Sequence, residues 1–229
     1  MNRTLLSVIA AFSVILASCS SAPEEKKAES DAKSEVKKEG LGNATKGRSF
    51  YTTCATCHGQ NGEGMKAMGA PALAGQETYY LKQQLQNYRV NKRGVHAKDV
   101  YGAQMAPMAK TLDSEGIMDV IAYIKTFPSA KVEPSVTGGN AENGKAYYNM
   151  VCGACHGPGA VGIESLHSPR LVGLQDWYLE RQLNNFRQGI RGKEEGDVYG
   201  AQMQLIAESI PDDQTVLDLI AYINSLNAE

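Results

Sequence analysis

The sequence predicts an all-α protein in which one small helical domain occurs twice. The first observation is an internal repeat, because from Asn43 onward the chain matches itself at an offset of 97 to 99 residues. In addition, each copy spaces its apolar residues three and four positions apart, as amphipathic helices do. No segment shows the convincing apolar–polar alternation of a strand. A chain of 229 residues is long enough for two small domains.

The domain boundaries follow from pairing residues across the two copies. Residues 43–47 pair with 140–144 at an offset of 97, an extra residue before Cys152 raises the offset to 98, and Pro211 raises it to 99. The connection between the copies is rich in proline and glycine, which favour turns and extended backbone. The pairing predicts a first domain at 43–127, a connector at 128–139 and a second domain at 140–229.

Each copy contains the same three helical patterns in the same order. The first pattern carries a glycine, Gly47 or Gly144, that would let another helix approach closely. The second pattern spans about 77–91 in the first copy and 176–188 in the second. The third begins at an aspartate, a preferred N-cap residue. These aspartates are Asp113 and Asp212.

Two motifs of the form C-x-x-C-H, at 54–58 and 152–156, carry the chemistry. This is the attachment pattern of a c-type haem, since two thiols one helical turn apart can each add to a haem vinyl group. A zinc site is the alternative, but zinc ribbons place their Cys pairs about 15–20 residues apart, whereas these pairs are 98 positions apart. We therefore predict two covalently bound haems c, attached through Cys54, Cys57, Cys152 and Cys155.

The proximal iron ligands are predicted from the same motifs. His58 and His156 directly follow the second cysteine, where an imidazole can ligate the haem iron. The chain has only two other histidines, His96 and His167, and these do not occupy equivalent positions in the repeat. Because two like sites should use like ligands, we expect His96 and His167 to be surface or loop residues.

The distal ligands are predicted from the repeat. Among eight methionines, Met105 and Met203 end an identical pentapeptide, Tyr-Gly-Ala-Gln-Met, which we expect to be irregular sequence before the last helix. Both are predicted iron ligands. Met108 is the second candidate in the first copy, but Ile206 replaces it in the second. The alternative is that the pentapeptide forms a turn with a buried methionine.

Two prolines, Pro71 and Pro169, open matching segments downstream of the haem motifs. A proline carbonyl at this position could accept a hydrogen bond from the Nδ1–H of the proximal histidine, which would fix the imidazole and strengthen it as a ligand. A turn-forming role explains the spacing equally well.

Residues 1–18 have the features of a secretory signal peptide, because a short basic start precedes an apolar run too short for a comfortable membrane span. The run ends in Leu-Ala-Ser-Cys, which resembles the lipobox of bacterial lipoproteins and implies that Cys19 is lipidated after cleavage. An ordinary cleaved signal peptide with an incidental cysteine is the alternative. Residues 19–42, which are rich in Ala, Ser, Glu and Lys, are predicted to form a lipid-anchored flexible linker.

These motifs together resemble those of the tandem dihaem class I cytochromes c, and most closely those of the cytochrome c₄ type. The resemblance covers about residues 43–226 and includes both haem motifs, the Pro-x-Leu-x-Gly segments and a Tyr-Leu-x-x-Gln-Leu pattern in each middle helix. It implies two class I cytochrome c domains, each a small helical fold around a covalent haem c. It also implies axial ligation by Met105 and Met203, with Pro71 and Pro169 supporting the proximal histidines.

The predicted ligands favour an electron carrier over an enzyme. Methionine–histidine ligation fills both axial positions of the iron, so no small-molecule substrate is expected there. A formal net charge of −2 argues against nucleic-acid binding. A dihaem peroxidase-like enzyme would need an open iron, which the matched methionines disfavour.

We therefore expect a membrane-tethered periplasmic carrier that passes single electrons by outer-sphere transfer in a bacterial cell envelope. The expected donor is a membrane quinol-oxidising complex or a dehydrogenase, and the expected acceptor is an oxidase or a reductase. In Gram-negative lipoproteins, a residue other than Asp after the lipidated cysteine, here Ser20, favours the outer membrane. The alternative function is that of a dedicated electron-transfer subunit of one oxidoreductase.

Overall fold

The computed structural model describes residues 42–228. The signal peptide predicted for 1–18 and, apart from Gly42, the linker predicted for 19–42 lie outside this range. Within it the chain is helical, and the only extended pairings are two isolated bridges, Met65 with Ala70 and Ile163 with Ser168. The all-α prediction is confirmed for the described residues. None of their helices has the length and apolar character needed to cross a membrane.

The first copy contains four α-helices and the second contains their counterparts. In the first copy these are α1 (Ala44–His58), α2 (Thr78–Arg89), α3 (Val100–Lys110) and α4 (Ser114–Ile124). In the second copy these are α5 (Ala141–Tyr147), α6 (Gly153–His156), α7 (Asp176–Arg187), α8 (Val198–Glu208) and α9 (Asp213–Ser225). Short 3₁₀ turns lie at Lys66–Met68, Glu164–Leu166 and Leu226–Ala228. The predicted N-caps are present, since Asp113 accepts a hydrogen bond from the Gly116 amide and Asp212 from the Thr215 amide.

The prediction that Met105 and Met203 lie in irregular sequence is wrong, because they lie on α3 and α8. In the first copy the Asp99 carboxylate caps α3 by accepting a hydrogen bond from the Gly102 amide. A Cβ at Gly102 would collide with that carboxylate, so the glycine that weakens a helix in general permits the cap here. Asp197 and Gly200 repeat the arrangement in the second copy.

The first and last helices of each copy pack at backbone distance. A Cβ at Gly47 would fall on the carbonyl of Asp119 in α4, and a Cβ at Gly144 would fall on the carbonyl of Asp218 in α9. The buried carboxylate of Asp119 also accepts a hydrogen bond from the Asn43 amide at 2.6 Å. The expected close approach at both glycines is therefore present.

The one-residue insertion in the second copy is absorbed by a π-helical turn at Tyr148–Cys152, which joins α5 to α6. A π turn holds one residue more than an α turn over the same path. The Tyr148 ring stays buried like its counterpart Tyr51, whereas Met150 within the turn is 73% exposed. The insertion therefore changes the helix locally and leaves both ends of it in register with the first copy.

The two copies contact each other through a nearly symmetric network of buried and half-buried side chains. Arg93 of the first copy donates a hydrogen bond to the Tyr178 hydroxyl of the second at 3.1 Å, and Arg191 donates to the Tyr80 hydroxyl of the first at the same distance. Both arginines also donate to the two glutamines at this contact, Gln84 and Gln182. All partners are related by the 98-residue offset, so the repeat in sequence becomes a two-fold relation in space.

The connector at 128–139 contains no helix and is held against the second copy by Asp176. The Asp176 carboxylate, which is fully buried, accepts hydrogen bonds from the amide of Ser135, from the Ser135 hydroxyl at 2.8 Å and from the amide of Val136 at 2.7 Å. Burial opposes ionisation, but these hydrogen bonds lower the pKa of Asp176. The connector is thereby fixed at one point by a carboxylate that the first copy lacks, since Thr78 takes its place there.

Candidate haem sites

Each copy encloses a cleft that gathers the residues expected to hold a haem. The first cleft is lined by Cys54, Cys57, His58, Pro71 and Met105. The second cleft is lined by their counterparts, Cys152, Cys155, His156, Pro169 and Met203. In each copy the expected residues therefore share one cleft, although as many as 51 residues of sequence separate them.

Both histidines predicted to be proximal ligands are buried and oriented by a proline carbonyl. The Nδ1 atom of His58 lies 2.8 Å from the carbonyl oxygen of Pro71, and that of His156 lies 2.9 Å from the carbonyl oxygen of Pro169. A carbonyl only accepts, so Nδ1 carries the proton and the lone pair is left on Nε2. The hydrogen bond expected from the sequence is thus present in both copies.

Burial keeps these imidazoles neutral. Desolvation lowers the pKa of His58 and of His156 below the ordinary value for histidine, although the hydrogen bond to the proline carbonyl acts in the opposite direction. A neutral imidazole with a protonated Nδ1 offers its Nε2 lone pair to a metal without first losing a proton.

The end of the first helix places each histidine. Gly59 and Gly157 follow the histidines with φ angles of 84° and 80°, which end the helix at a conformation that favours glycine. A buried tyrosine fixes each turn, because the Tyr51 hydroxyl donates to the Gly59 carbonyl at 2.8 Å and the Tyr148 hydroxyl donates to the Gly157 carbonyl at 2.7 Å. The position of each histidine is therefore fixed by the helix that ends at it, by the tyrosine hydroxyl that holds the following turn and by the proline carbonyl at Nδ1.

The two cysteines of each motif lie about one helical turn apart, and both line the cleft. Burial raises the pKa of Cys54, and it raises the pKa of Cys152 to about 11. Burial thus disfavours the thiolate at both positions, and the helix keeps the two sulfur atoms of each motif on the cleft.

The methionines line the same clefts as the cysteines and histidines, and each is half-buried on α3 or α8. Met108 also lines the first cleft, but it is 44% exposed, and Ile206 stands at its position in the second cleft. A thioether at matching positions therefore occurs in both clefts only at Met105 and Met203.

The two remaining histidines differ from each other. His96 is exposed only in part and accepts a hydrogen bond from the Lys98 amide in its own loop. His167, which we expected to lie on the surface or in a loop, lies in a loop but lines the second cleft, where it stacks on Tyr199 with ring centroids 4.2 Å apart. Its counterpart in the first copy is Gly69, so this wall of the cleft differs between the copies.

Two cleft residues were missed from the sequence. Arg93 lines the first cleft and Arg191 the second, and both are buried. The Nε atom of each is buried without a hydrogen-bond partner, and an unpaired buried donor is costly. The only signal in the sequence was that the two arginines pair at the 98-residue offset.

These residues fit a c-type haem. A paired thiol, an oriented neutral imidazole and a thioether match the covalent and axial demands of the group. The unpaired Nε–H of each arginine could donate to one of the two carboxylates that a haem carries. No part of this donor set requires a different cofactor.

Comparisons with known proteins show the family of the chain. The family model described as cytochrome c matches residues 44–128 and again 141–227. A thiosulfate dehydrogenase electron acceptor from Stutzerimonas stutzeri is 32% identical over 75% of this chain and 82% of its own length. A cytochrome c4 from Pseudomonas aeruginosa is 30% identical over 81% of this chain and 90% of its own. The crystal structure of a reduced cytochrome c4 from Pseudomonas stutzeri superposes with a TM-score of 0.61, at 27% identity, over 80% of this chain and 98% of that one.

The predictions of two class I domains, of two covalently bound haems c and of an electron-transfer protein are confirmed by these comparisons. The matched regions cover both copies of the repeat, and each contains one C-x-x-C-H motif. The chain therefore belongs to the cytochrome c family, as a dihaem electron carrier similar to cytochrome c4.

Proposed function

We propose that His58 and Met105 are the axial iron ligands in the first domain and that His156 and Met203 are those in the second. The observation that carries this proposal is the arrangement of each cleft, where an oriented imidazole and a thioether at matching positions line the same cavity as the cysteine pair. The haem iron supplies one-electron redox chemistry, and its two protein ligands exclude a substrate from it.

The protein's own residues then have three tasks. The cysteine pairs hold each haem covalently, so that it is not lost between partners. The proline carbonyls of Pro71 and Pro169 keep the imidazoles in one orientation, which limits structural change when the charge of the site changes. The apolar lining of the clefts excludes water and favours the form of the site with lower charge.

The domains are proposed to span 43–127 and 140–229, with the connector at 128–139. Their clefts lie on either side of the arginine–tyrosine network, because Tyr80 and Gln84 of the first copy also line the second cleft, and Tyr178 and Gln182 of the second copy also line the first. This shared wall favours electron exchange between the two haems within one molecule.

The chain is proposed to act at a bacterial cell envelope, facing the periplasm and anchored through lipidated Cys19. The support is the sequence alone, a signal peptide that ends in a lipobox-like Leu-Ala-Ser-Cys and is followed by a polar linker. A tether would keep the carrier at high local concentration beside membrane-bound donors and acceptors. Labelling with a radioactive fatty acid tests the anchor, and C19S should abolish the label and release the protein from membranes.

Two kinds of partner follow from this proposal. A general carrier would accept electrons from a quinol-oxidising complex and deliver them to an oxidase or a reductase. A dedicated acceptor would serve one dehydrogenase, and the similarity to a relative named as a thiosulfate dehydrogenase electron acceptor favours an enzyme that oxidises thiosulfate. Mixing the oxidised protein with thiosulfate dehydrogenase and thiosulfate distinguishes the two, because only a dedicated acceptor should be reduced within single turnovers.

The ligand assignment is tested by the absorption spectrum of the oxidised protein, in which methionine-ligated haem iron gives a weak sulfur-to-iron band at the red end. The band should fall by about half in either M105L or M203L and vanish in the double variant, because each haem contributes one such bond. M108L is the matched control and should leave the band unchanged. A full-strength band in either M105L or M203L would refute the assignment for that domain.

A further inference from the structure

The two haem domains carry opposite charge. Residues 43–127 contain ten Lys and Arg against six Asp and Glu, whereas residues 140–229 contain six against twelve. The formal charges are therefore +4 and −6 with histidine neutral. Because both domains hold the same cofactor, haem adds equally to each and the difference belongs to the chain itself. Such an asymmetry creates a field that acts on any charged partner.

The openings of the two clefts differ in the charged residues that lie beside them. We call the exposed lining residues of each cleft its mouth. The first mouth consists of Ser49, Phe50, Thr53, Thr56, Met68, Tyr101, Gln104, Met108 and Thr111. The second mouth consists of Tyr199, Gln202 and Ile206, beside the haem-attachment residue Cys155. Both mouths present apolar side chains together with uncharged polar ones, so the charged residues beside them distinguish the two.

Two charges are reversed at equivalent places beside the mouths. Exposed Lys110 ends α3 beside the first mouth, and exposed Glu208 ends α8 at the same position beside the second. Exposed Lys66 begins the 3₁₀ turn that leads to Met68, and exposed Glu164 begins the matching turn in the second copy. At two equivalent positions of the repeat, the first copy therefore has a lysine where the second copy has a glutamate.

These charges are available to a partner. Lys66 donates a hydrogen bond to the neutral Ser135 hydroxyl at 3.0 Å, and within residues 42–228 no carboxylate lies in ion-pair contact with Lys66 or Lys110. Glu208 lies 3.5 Å from Lys193, but both side chains are about half exposed, and such surface pairs are weak and screened by water. Glu164 has no ion pair among the described residues.

We propose that the first mouth is the docking surface for a redox protein with an acidic face and that the second mouth repels the same protein. An apolar centre beside charged groups is the usual composition of a transient protein interface, and charge complementarity there sets the rate and the site of encounter more than the affinity. Charge would then decide which haem exchanges electrons with that partner. This inference rests on the proposed function as an electron carrier.

A paramagnetic anion locates the docking surface without any electron transfer. Hexacyanochromate(III) is an inert trianion that broadens the NMR signals of nearby protons, and it can be added to the fully reduced holoprotein labelled at methionine and isoleucine methyls. The Met68 and Met108 methyls should broaden more strongly than the Ile206 methyl. The K66E/K110E variant should lose this broadening at Met108, and the matched E164K/E208K variant should gain it at Ile206. Equal broadening of Met108 and Ile206 in the unmodified protein would overturn the proposal.

The rate of electron transfer provides the second readout. Oxidation of the reduced protein by hexacyanoferrate(III) should slow by about tenfold in K66E/K110E at low salt, and the difference should disappear near 1 M salt, where the screening length is about 3 Å. E164K/E208K should not slow it. A rate that does not respond to K66E/K110E would contradict charge sorting, whereas a full-strength sulfur-to-iron band in M105L or M203L would contradict only the proposed ligands. The two failures are therefore distinguishable.

Discussion

The guanidinium of Arg93 in the first domain lies 3.1 Å from the hydroxyl of Tyr178 in the second, and both side chains are buried between the two haem clefts. The mirror contact, Arg191 with the Tyr80 hydroxyl, has the same length. Each donor of a buried guanidinium that is left unpaired is destabilising, and the tyrosine hydroxyl pairs one donor of each arginine. Each domain thus supplies the tyrosine that the other domain's arginine requires, and the domains depend on each other for this pairing.

This reciprocity predicts that Y178F and Y80F each destabilise the holoprotein by about 1–3 kcal/mol, because each leaves a buried guanidinium donor without its acceptor. Denaturant unfolding monitored through Trp177, the single tryptophan, measures the loss. Y147F is the control, since the Tyr147 hydroxyl donates to the Ser209 carbonyl at an exposed site. Losses in Y178F and Y80F no larger than that in Y147F would contradict the role of the network.

The close helix contact at Gly144 predicts a substitution effect of unusual sign. Replacing a helical glycine with alanine ordinarily stabilises the helix by about 1 kcal/mol, but at Gly144 the new Cβ would fall on the backbone of Asp218 and α5 would have to move away from α9. G144A should therefore lower the free energy of unfolding by more than about 2 kcal/mol.

The matched control for that prediction is G159A. A Cβ at Gly159 would meet only the Val161 side chain, at an ordinary 3.6 Å, and the backbone there does not have a positive φ. Thermal unfolding of both variants in the haem-loaded form measures the difference. Equal melting temperatures for G144A and G159A would show that α5 and α9 tolerate a wider separation than the packing indicates.

The haem-attachment motifs and much of the fold could be predicted because the features that specify them are local. Covalent attachment requires fixed spacing between Cys54, Cys57 and His58, so the motif is visible in five consecutive residues. The helix start at Asp113 and the close helix contact at Gly47 could likewise be predicted, because a single residue type indicates each of them. The repeat then allowed each inference in the first copy to be checked against the second.

Helices α3 and α8 were not predicted because both contain residues that disfavour a helix. Gly102 lies in the first turn of α3 and Pro107 lies in its interior, and both residues disfavour helices. The helix depends on the Asp99 cap and on burial of Ala106 and Ala109 against the rest of the domain. The buried residues of α3 do have helical spacing, but they are small, so the apolar face that they form gives only a weak signal in the sequence.

The buried arginines were missed for a related reason. Arginine is a surface residue in most contexts, whereas Arg93 is buried and donates a hydrogen bond to Tyr178 of the second domain. His167 shows the same limit, since it lies against Tyr199 through a loop conformation with a φ of 53° that the sequence does not reveal. Contacts between residues that are distant in the sequence therefore determine the part of the site that local patterns could not predict.

The connector contact predicts a pH dependence of stability. The pKa of Asp176 is lower in the folded protein than in the unfolded chain. The contribution of its carboxylate to the free energy of unfolding is therefore fully present above the pKa of the unfolded chain, about 3.9. It is lost as the pH falls through the pKa of the folded protein. D176N should lower the free energy of unfolding by about 1–3 kcal/mol at pH 7. The difference from the unmodified protein should shrink as the pH is lowered below about 4.

Denaturant titrations between pH 7 and pH 3 measure that dependence. E195Q is the control, because Glu195 is an exposed carboxylate that takes no part in the recorded hydrogen bonds or ion pairs of residues 42–228. A constant difference between D176N and the unmodified protein across this range would show that Asp176 stabilises the connector by shape rather than by charge.

The π-helical turn predicts that the second domain tolerates loss of the inserted residue. Deleting Met150, which is 73% exposed, should convert the turn at Tyr148–Cys152 into a regular α turn like the one before Cys54, because both ends of the helix are already in register with the first copy. Haem attachment should be complete, and the free energy of unfolding should change by less than about 1 kcal/mol.

Deleting Thr52 from the uninterrupted helix α1 is the matched control. It should rotate the motif by about 100° relative to the helix start and abolish attachment in that domain. Mass spectrometry counts the haems bound by each variant, and loss of a haem on deleting Met150 would show that the second cleft requires the π turn.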